Sequence, residues 1–355
     1  MIEFTEAVKA HAVLYPEMQP QDVVKLAYQS EFGGGHMITN VAACQTYLEQ
    51  EYHTVVQKED AQLIEEIGNG MVRVHLAALQ KEDISPQLLA QVFIFCANQK
   101  RGSAQSFQRK LTQLDSLAEQ GIFCFDAAEL KRYLAGYAAQ GYPAVSHSDE
   151  YRRAYRPAYR VMSGEYARLL PLLARIEKLK QQKEHVFVAI DGMAASGKTT
   201  LSNQLKQFYG KNCGVIHMDD FFLPQSLRTQ QRYAEAGGNI HYERFGQQII
   251  AAMGEKHFSY ARYDCASGTF SPMQWQENRP IMVIEGSYSQ HPYFGRPYDL
   301  CVFLKISSQE QKRRILKRNG AEWYQDFEEK WIPMEQAYAQ AFSIQEQCDF
   351  LWENE

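Results

Sequence analysis

At 355 residues the chain has room for about two domains, and an apolar fraction of 45% can fill sizeable cores. A formal charge of −5 argues against a dedicated nucleic-acid binder. No run of about 18 apolar residues occurs and MIEFTEAVKA is no signal peptide, so neither a membrane partner nor secretion is expected. The seven cysteines are scattered, odd in number and without a C-x-x-C pair, which fits a cytoplasmic protein with reduced thiols.

Residues 1–182 read as a mostly helical domain of unknown function. Pro20-Gln21-Asp22 opens a helix carrying Val23, Val24, Leu26, Ala27 and Tyr28. Ser85-Pro86 begins another, with Leu88, Leu89, Val92 and Phe93 on its apolar face. Phe107, Leu111, Leu114 and Leu117 follow at helical intervals, and Asp126 is placed to cap a helix of Leu130, Tyr133 and Leu134. Tyr166–Leu179 is a last amphipathic helix, with Pro171 as a possible kink. Alternating strand patterns are few.

Two stretches in this half are not generic. Gly33-Gly34-Gly35-His36 puts three glycines after a helix, as a stop and loop, an anion nest or a close approach requires. Arg152–Arg160 interleaves four arginines with tyrosines. It reads either as a phosphate- or base-binding surface or as an interdomain helix whose arginines pair with acidic neighbours. The polar run IEKLKQQKEH then marks a boundary near residue 182.

Residues 183–355 change to strands alternating with helices, the pattern of an α/β parallel sheet with crossover helices. Strands are expected at Val186–Ile190, Val215–Met218, Ile281–Ile284 and Leu300–Ile306. After the first stand Gly192, Met193, Ala194, Ala195, Ser196, Gly197, Lys198 and Thr199, a complete G-x-x-x-x-G-K-[ST] loop (Walker A), with a helix starting near Lys198. Glycines there let the backbone N–H groups reach a nucleotide's phosphates, and the helix N-terminus adds its dipole. Lys198 supplies a mobile charge for the β- and γ-phosphates, and Thr199 a hydroxyl for Mg²⁺.

Ligands in such sheets lie beyond the carboxyl ends of the strands, so the polar residues there come first. Asp219-Asp220 follows the second strand and suits general-base or metal work. Glu285 ends the third, a Walker-B-like acid for Mg²⁺. Arg313, Arg314 and Arg318 lie on a basic helix after the last strand, where they can close over a nucleotide as a lid.

Gly192–Thr200, Asp219-Asp220-Phe221-Phe222, Ile284-Glu285-Gly286 and the Arg313–Arg318 helix stand in the order found in the uridine kinase family of P-loop kinases, and the second half of the chain resembles that family. The family includes uridine/cytidine, nicotinamide riboside, phosphoribulo- and pantothenate kinases. The DDFF run with Leu223-Pro224, and Trp331-Ile332-Pro333-Met334-Glu335, look most like the nicotinamide riboside enzymes. The resemblance implies an ATP- and Mg²⁺-dependent kinase acting on a hydroxyl of a nucleoside or related metabolite. It implies that Asp219 is the base, that the loop through Thr200 holds ATP, that Thr199 with Glu285 places Mg²⁺, and that Arg313, Arg314 and Arg318 are lid candidates. Asp220, Tyr242, Arg244, Tyr263 and Asp264 are candidates for the acceptor side. Gly237–Phe245 departs from every member of the family, and Cys265 stands where an arginine often follows the tyrosine-aspartate element. Two other functions are compatible with the motifs: a nucleotide-gated regulatory protein, and a bifunctional enzyme with a second activity in residues 1–182. A GTPase switch fits poorly, because the chain holds no N-K-x-D.

Overall fold

The computed structural model describes residues 2–35, 38, 40–99 and 102–354. The chain divides into two compact units, Met1–Arg175 and Ile176–Glu355.

In the first unit α1 (Phe4–Leu14), α2 (Pro20–Phe32) and α3 (Val41–Thr54) precede strands β1 (Ile64–Glu66) and β2 (Met71–His75). Helices α4 (Pro86–Ala97), α5 (Ala104–Glu119), α6 (Ala127–Ala139) and α7 (Asp149–Tyr155) follow, then β3 (Tyr159–Ser163) and α8 (Gly164–Lys180), which crosses the division between the units. Ser85, Ser103, Asp126 and Ser148 start α4 to α7, each accepting a backbone N–H three residues on and so satisfying a donor the helix leaves open. Helix α8 runs on through Pro171.

The antiparallel sheet β1-β2-β3 corrects the sequence expectation of few strands. Its central strand, Met71-Val72-Arg73-Val74-His75, is buried on both faces almost throughout, so the alternation that marks a half-solvated strand is missing. The third strand comes from within the arginine–tyrosine stretch. Only Asp149–Tyr155 is helical there; Arg156 takes a left-handed turn (φ 45°) and Arg160 lies in β3, paired with Glu51 at 2.7 Å. Arg153 pairs with Glu150. Gly33 closes α2 at φ +68°, and a Cβ on Gly34 would stand 2.7 Å from the Phe93 ring, so this run of glycines lets the chain press against α4. His36 lies outside the described residues.

The inner face of this sheet is polar. Arg73, 1% exposed, reaches Gln29 Oε1 at 3.0 Å and Glu65 at 3.4 Å and lies over the Tyr159 ring. Asp22 accepts from Ser148 N and pairs with His147 at 2.8 Å. These partners offset the cost of burying charge. Burial pushes the His11 and His147 imidazoles down to about 4, although Glu65 and Asp22 respectively pull the other way. An unfolded histidine titrates at about 6.5, so the unfolded chain takes up protons first as pH falls. The first unit is therefore expected to keep its stability above pH about 6.5 and lose it between about 6.5 and 4. Calorimetric midpoints across that range check it, and a flat profile would contradict it.

In the second unit β4 (Val186–Gly192) is buried along its whole length, as the middle of a parallel sheet requires. It leads through the glycine loop to α9 (Lys198–Tyr209) and β5 (Cys213–His217). Then come α10 (Gln230–Ala234), α11 (Tyr242–Gln248), the short antiparallel strands β6 (His257–Tyr260), β7 (Tyr263–Asp264), β8 (Thr269–Phe270) and β9 (Gln274–Glu277), and β10 (Ile281–Glu285). The chain closes with β11 (Leu300–Lys305), α12 (Ser308–Asn319), α13 (Ala321–Asp326), α14 (Ile332–Ala341) and β12 (Phe350–Glu353). The five-stranded sheet runs β12-β11-β4-β10-β5, every pair parallel. The four expected strands are present; β12 at the edge was not expected, because only two of its residues are even partly buried. Among the described residues no helix is long and apolar enough to cross a membrane, and all seven cysteines are free.

Candidate active site

The carboxyl ends of β4, β5 and β10 bring the site together. β4 pairs with β10, and β10 with β5, in parallel register, so Gly192, Glu285 and His217 end neighbouring strands. The loop after β4 turns through Gly192 at φ +147°, Ala195 at +59° and Gly197 at +103°. A Cβ on Gly192 would stand 2.5 Å from Leu304 O, and one on Gly197 2.4 Å from Asn354 Nδ2. Glycine is the residue that fits both places.

The loop carbonyls are held from outside. Lys198 Nζ donates to Gly192 O at 2.8 Å and Met193 O at 2.9 Å. Gln311 donates to Ala194 O, Arg314 to Ala195 O at 3.3 Å and Asn354 to Ser196 O at 2.6 Å. These donors fix the peptide planes of residues 192–196, and of the amides there Gly192 N donates to Asp191, Ala194 N to Glu335 and Ser196 N to Met193 O. A glycine loop that leads into a helix N-terminus is the setting of an anion nest.

Around the nest stand the acids. Thr199 Oγ1 lies 3.2 Å from both oxygens of Glu285, whose Oε1 also pairs with His217 Nδ1. That bond holds the His217 imidazole above its ordinary pKa. Met218–Phe221 forms a 3-10 turn after β5 and presents Asp219 and Asp220. Asp219 is open to solvent on one side and crowded by protein on the others. The crowding raises its carboxyl pKa, the Lys198 charge opposes the rise and Glu285 adds to it. Asp220 pairs with Arg262 at 3.5 Å and accepts from Tyr260, while its carbonyl accepts from Arg244 at 2.6 Å.

Not every expected residue faces this cluster. Arg314 reaches the loop as a strut on a carbonyl, braced by Glu310. Arg313 bonds Glu310 and is largely exposed, and Arg318 donates to Asn319. Arg244 lies over the Phe221 ring and spends its N–H groups on Asp220 O, Ala261 O and Gln248. The Tyr242 hydroxyl pairs with Arg232 and Glu235. Tyr263 is buried beside Phe270, and Asp264 caps its own hairpin turn through Ala266 N and Ser267. Asp220 with Arg244 therefore stands nearest the cluster, and Asp264 is committed elsewhere.

Sequence reasoning missed two buried carboxylates. Asp191 takes four hydrogen bonds, from Gly192 N, Tyr288 N, Gln290 N and Tyr338 OH. Glu335 accepts from Ala194 N at 2.6 Å and from Ser287 Oγ at 2.7 Å. Burial raises both carboxyls, with Lys198 among the groups pulling the other way. The Asp before Gly192 was a visible signal; Glu335 offered none beyond its segment.

Fold and loop together define a P-loop α/β unit. No family model matches the chain. It is 30% identical over 136 residues to human nicotinamide riboside kinase 1, covering 36% of this chain and 62% of that protein. It is 55% identical over 40 residues to human nicotinamide riboside kinase 2, covering 11% and 17%. The chain thus spans less than two thirds of either relative. Among solved structures, a possible uridine kinase from Bacillus stearothermophilus aligns with a TM-score of 0.39 at 20% identity, covering 51% of this chain and 98% of that one. The chain therefore carries a stretch similar to nicotinamide riboside kinases.

Tyr338→Phe removes one donor from buried Asp191 and is expected to cost about 1–3 kcal/mol. The four tryptophans, Trp275, Trp323, Trp331 and Trp352, all lie in the second unit, so their fluorescence in denaturant reads the change.

Proposed function

We propose that the second unit is an ATP- and Mg²⁺-dependent kinase that transfers a γ-phosphoryl group to a hydroxyl of a nucleoside or related metabolite. The observation that carries the reading is the meeting of four groups at one set of strand ends: Lys198 on the loop carbonyls, Thr199 against Glu285, and Asp219 in the field of Lys198 and Glu285. The names of the relatives make nicotinamide riboside a first acceptor to try. The reduced thiols suit a cytoplasmic enzyme.

The residues fit a nucleoside triphosphate, since a glycine loop with left-handed turns at Gly192, Ala195 and Gly197 leads into a helix N-terminus that carries Lys198. They fit Mg²⁺ too, with the Thr199 hydroxyl and the Glu285 carboxylate as the groups that would hold it. When bound, the metal supplies charge neutralisation on phosphate oxygens. Lys198 exchanges its carbonyl partners for those oxygens. Asp219 orients the acceptor hydroxyl and takes its proton, and a raised carboxyl pKa brings it closer to a general base's working range. Arg314 keeps the loop in shape.

An ADP-release screen over nucleosides, nicotinamide riboside, pantothenate and simple sugars tests the class. Asp219→Asn is expected to lower turnover by about two to four orders of magnitude with ATP affinity nearly unchanged. Near-normal turnover in that variant would remove Asp219 from the base role.

A further inference from the structure

Glu335 sits on α14, 8% exposed, and does not take part in the proposed transfer. Lys198, Gln311, Arg314 and Asn354 bring donors to the loop carbonyls; Glu335 brings an acceptor to an amide. Its Oε2 takes the Ala194 N–H at 2.6 Å, its Oε1 takes the Ser287 hydroxyl at 2.7 Å, and it lies in the field of Lys198. Ser287 also donates toward Gly192 O at 3.1 Å, which keeps the hydroxyl beside the loop. A loop amide and a hydroxyl are donors that a phosphoryl oxygen takes, and in the protein without nucleotide an internal carboxylate holds both.

We propose that Glu335 discriminates between nucleoside tri- and diphosphates, by competing with the terminal phosphoryl group for Ala194 N–H and the Ser287 hydroxyl. The proposal rests on the reading of the loop as a triphosphate site. A triphosphate binds by displacing the carboxylate. A diphosphate lacks the competing group and leaves it seated. The contest lowers affinity for ATP relative to ADP, and the carboxylate returns to its donors once the phosphoryl group has gone to the acceptor. An anion displaced from charge-assisted hydrogen bonds resists more strongly than a neutral amide of the same shape.

Titration calorimetry with Mg-ATP and with Mg-ADP on the full chain and on Glu335→Gln tests this. The amide variant keeps an acceptor for Ala194 N–H and loses the charge. Its affinity for ATP is expected to rise about tenfold while that for ADP stays within about twofold. Glu335→Ala is expected to shift the ATP-to-ADP ratio in the same direction, and gives the reading should the amide variant fail to fold. An unchanged ratio, or equal weakening of both nucleotides, would make Glu335 a strut between α14 and the loop and overturn the proposal alone. A wild-type chain that bound neither nucleotide would overturn the triphosphate reading and this proposal with it.

Discussion

The second unit depends on the direction of a few peptide planes. The carbonyls of residues 192–196 are each engaged by a side chain, from Lys198, Ser287, Gln311, Arg314 and Asn354. Without those donors the planes could rotate and the loop would lose its shape. The donors come from α9, the segment after β10, α12 and the C-terminal end of the chain, so the loop is shaped by the whole carboxyl edge of the sheet. Gln311 and Arg314 lie three residues apart on α12 and so share a helix face. Glu310 holds Arg314 in place from one turn before.

A second layer of acids ties that edge together. Asp191 fastens the end of β4 to the segment after β10 and to α14, through backbone N–H groups and the Tyr338 hydroxyl. Four donors on one buried carboxylate fix the loop's entry angle, although burial favours the protonated form. Glu285 joins β10 to α9 through Thr199 and to β5 through His217. Asp219 differs from these because no side-chain donor fixes it among the described contacts and one side meets solvent, which suits a group that must meet an incoming molecule.

What the sequence made legible was local or set by topology. The glycine loop is eight consecutive residues whose spacing carries its own geometry. Asp219 and Glu285 could be singled out because the carboxyl ends of neighbouring parallel strands share one edge. The Ser85, Ser103, Asp126 and Ser148 caps act over three residues, and the helix starts at Pro86 and Ala127 could be read from them or from nearby proline and aspartate. The hidden parts were those made by distant approach. Glu335 and Ala194 are 141 residues apart, and Asn354 meets Ser196 across 158. No periodicity reports such a pair. Arg313, Arg314 and Arg318 look alike in sequence, yet among the described contacts Arg314 reaches a loop carbonyl while Arg313 bonds Glu310 and Arg318 bonds Asn319. In the first unit β2 is likewise made by distant partners, since its buried Arg73 needs Glu65, Gln29 and Tyr159 around it.

The central claim is that side-chain donors on the carbonyls of residues 192–196 hold the loop in a shape that takes a triphosphate. A crystal structure with Mg²⁺ and a non-hydrolysable ATP analogue tests it most directly. The account predicts phosphate oxygens on the amides of the 192–199 loop, with Lys198 Nζ moved from the Gly192 and Met193 carbonyls onto them. A loop without nucleotide at saturating analogue, Lys198 still on those carbonyls, would contradict it.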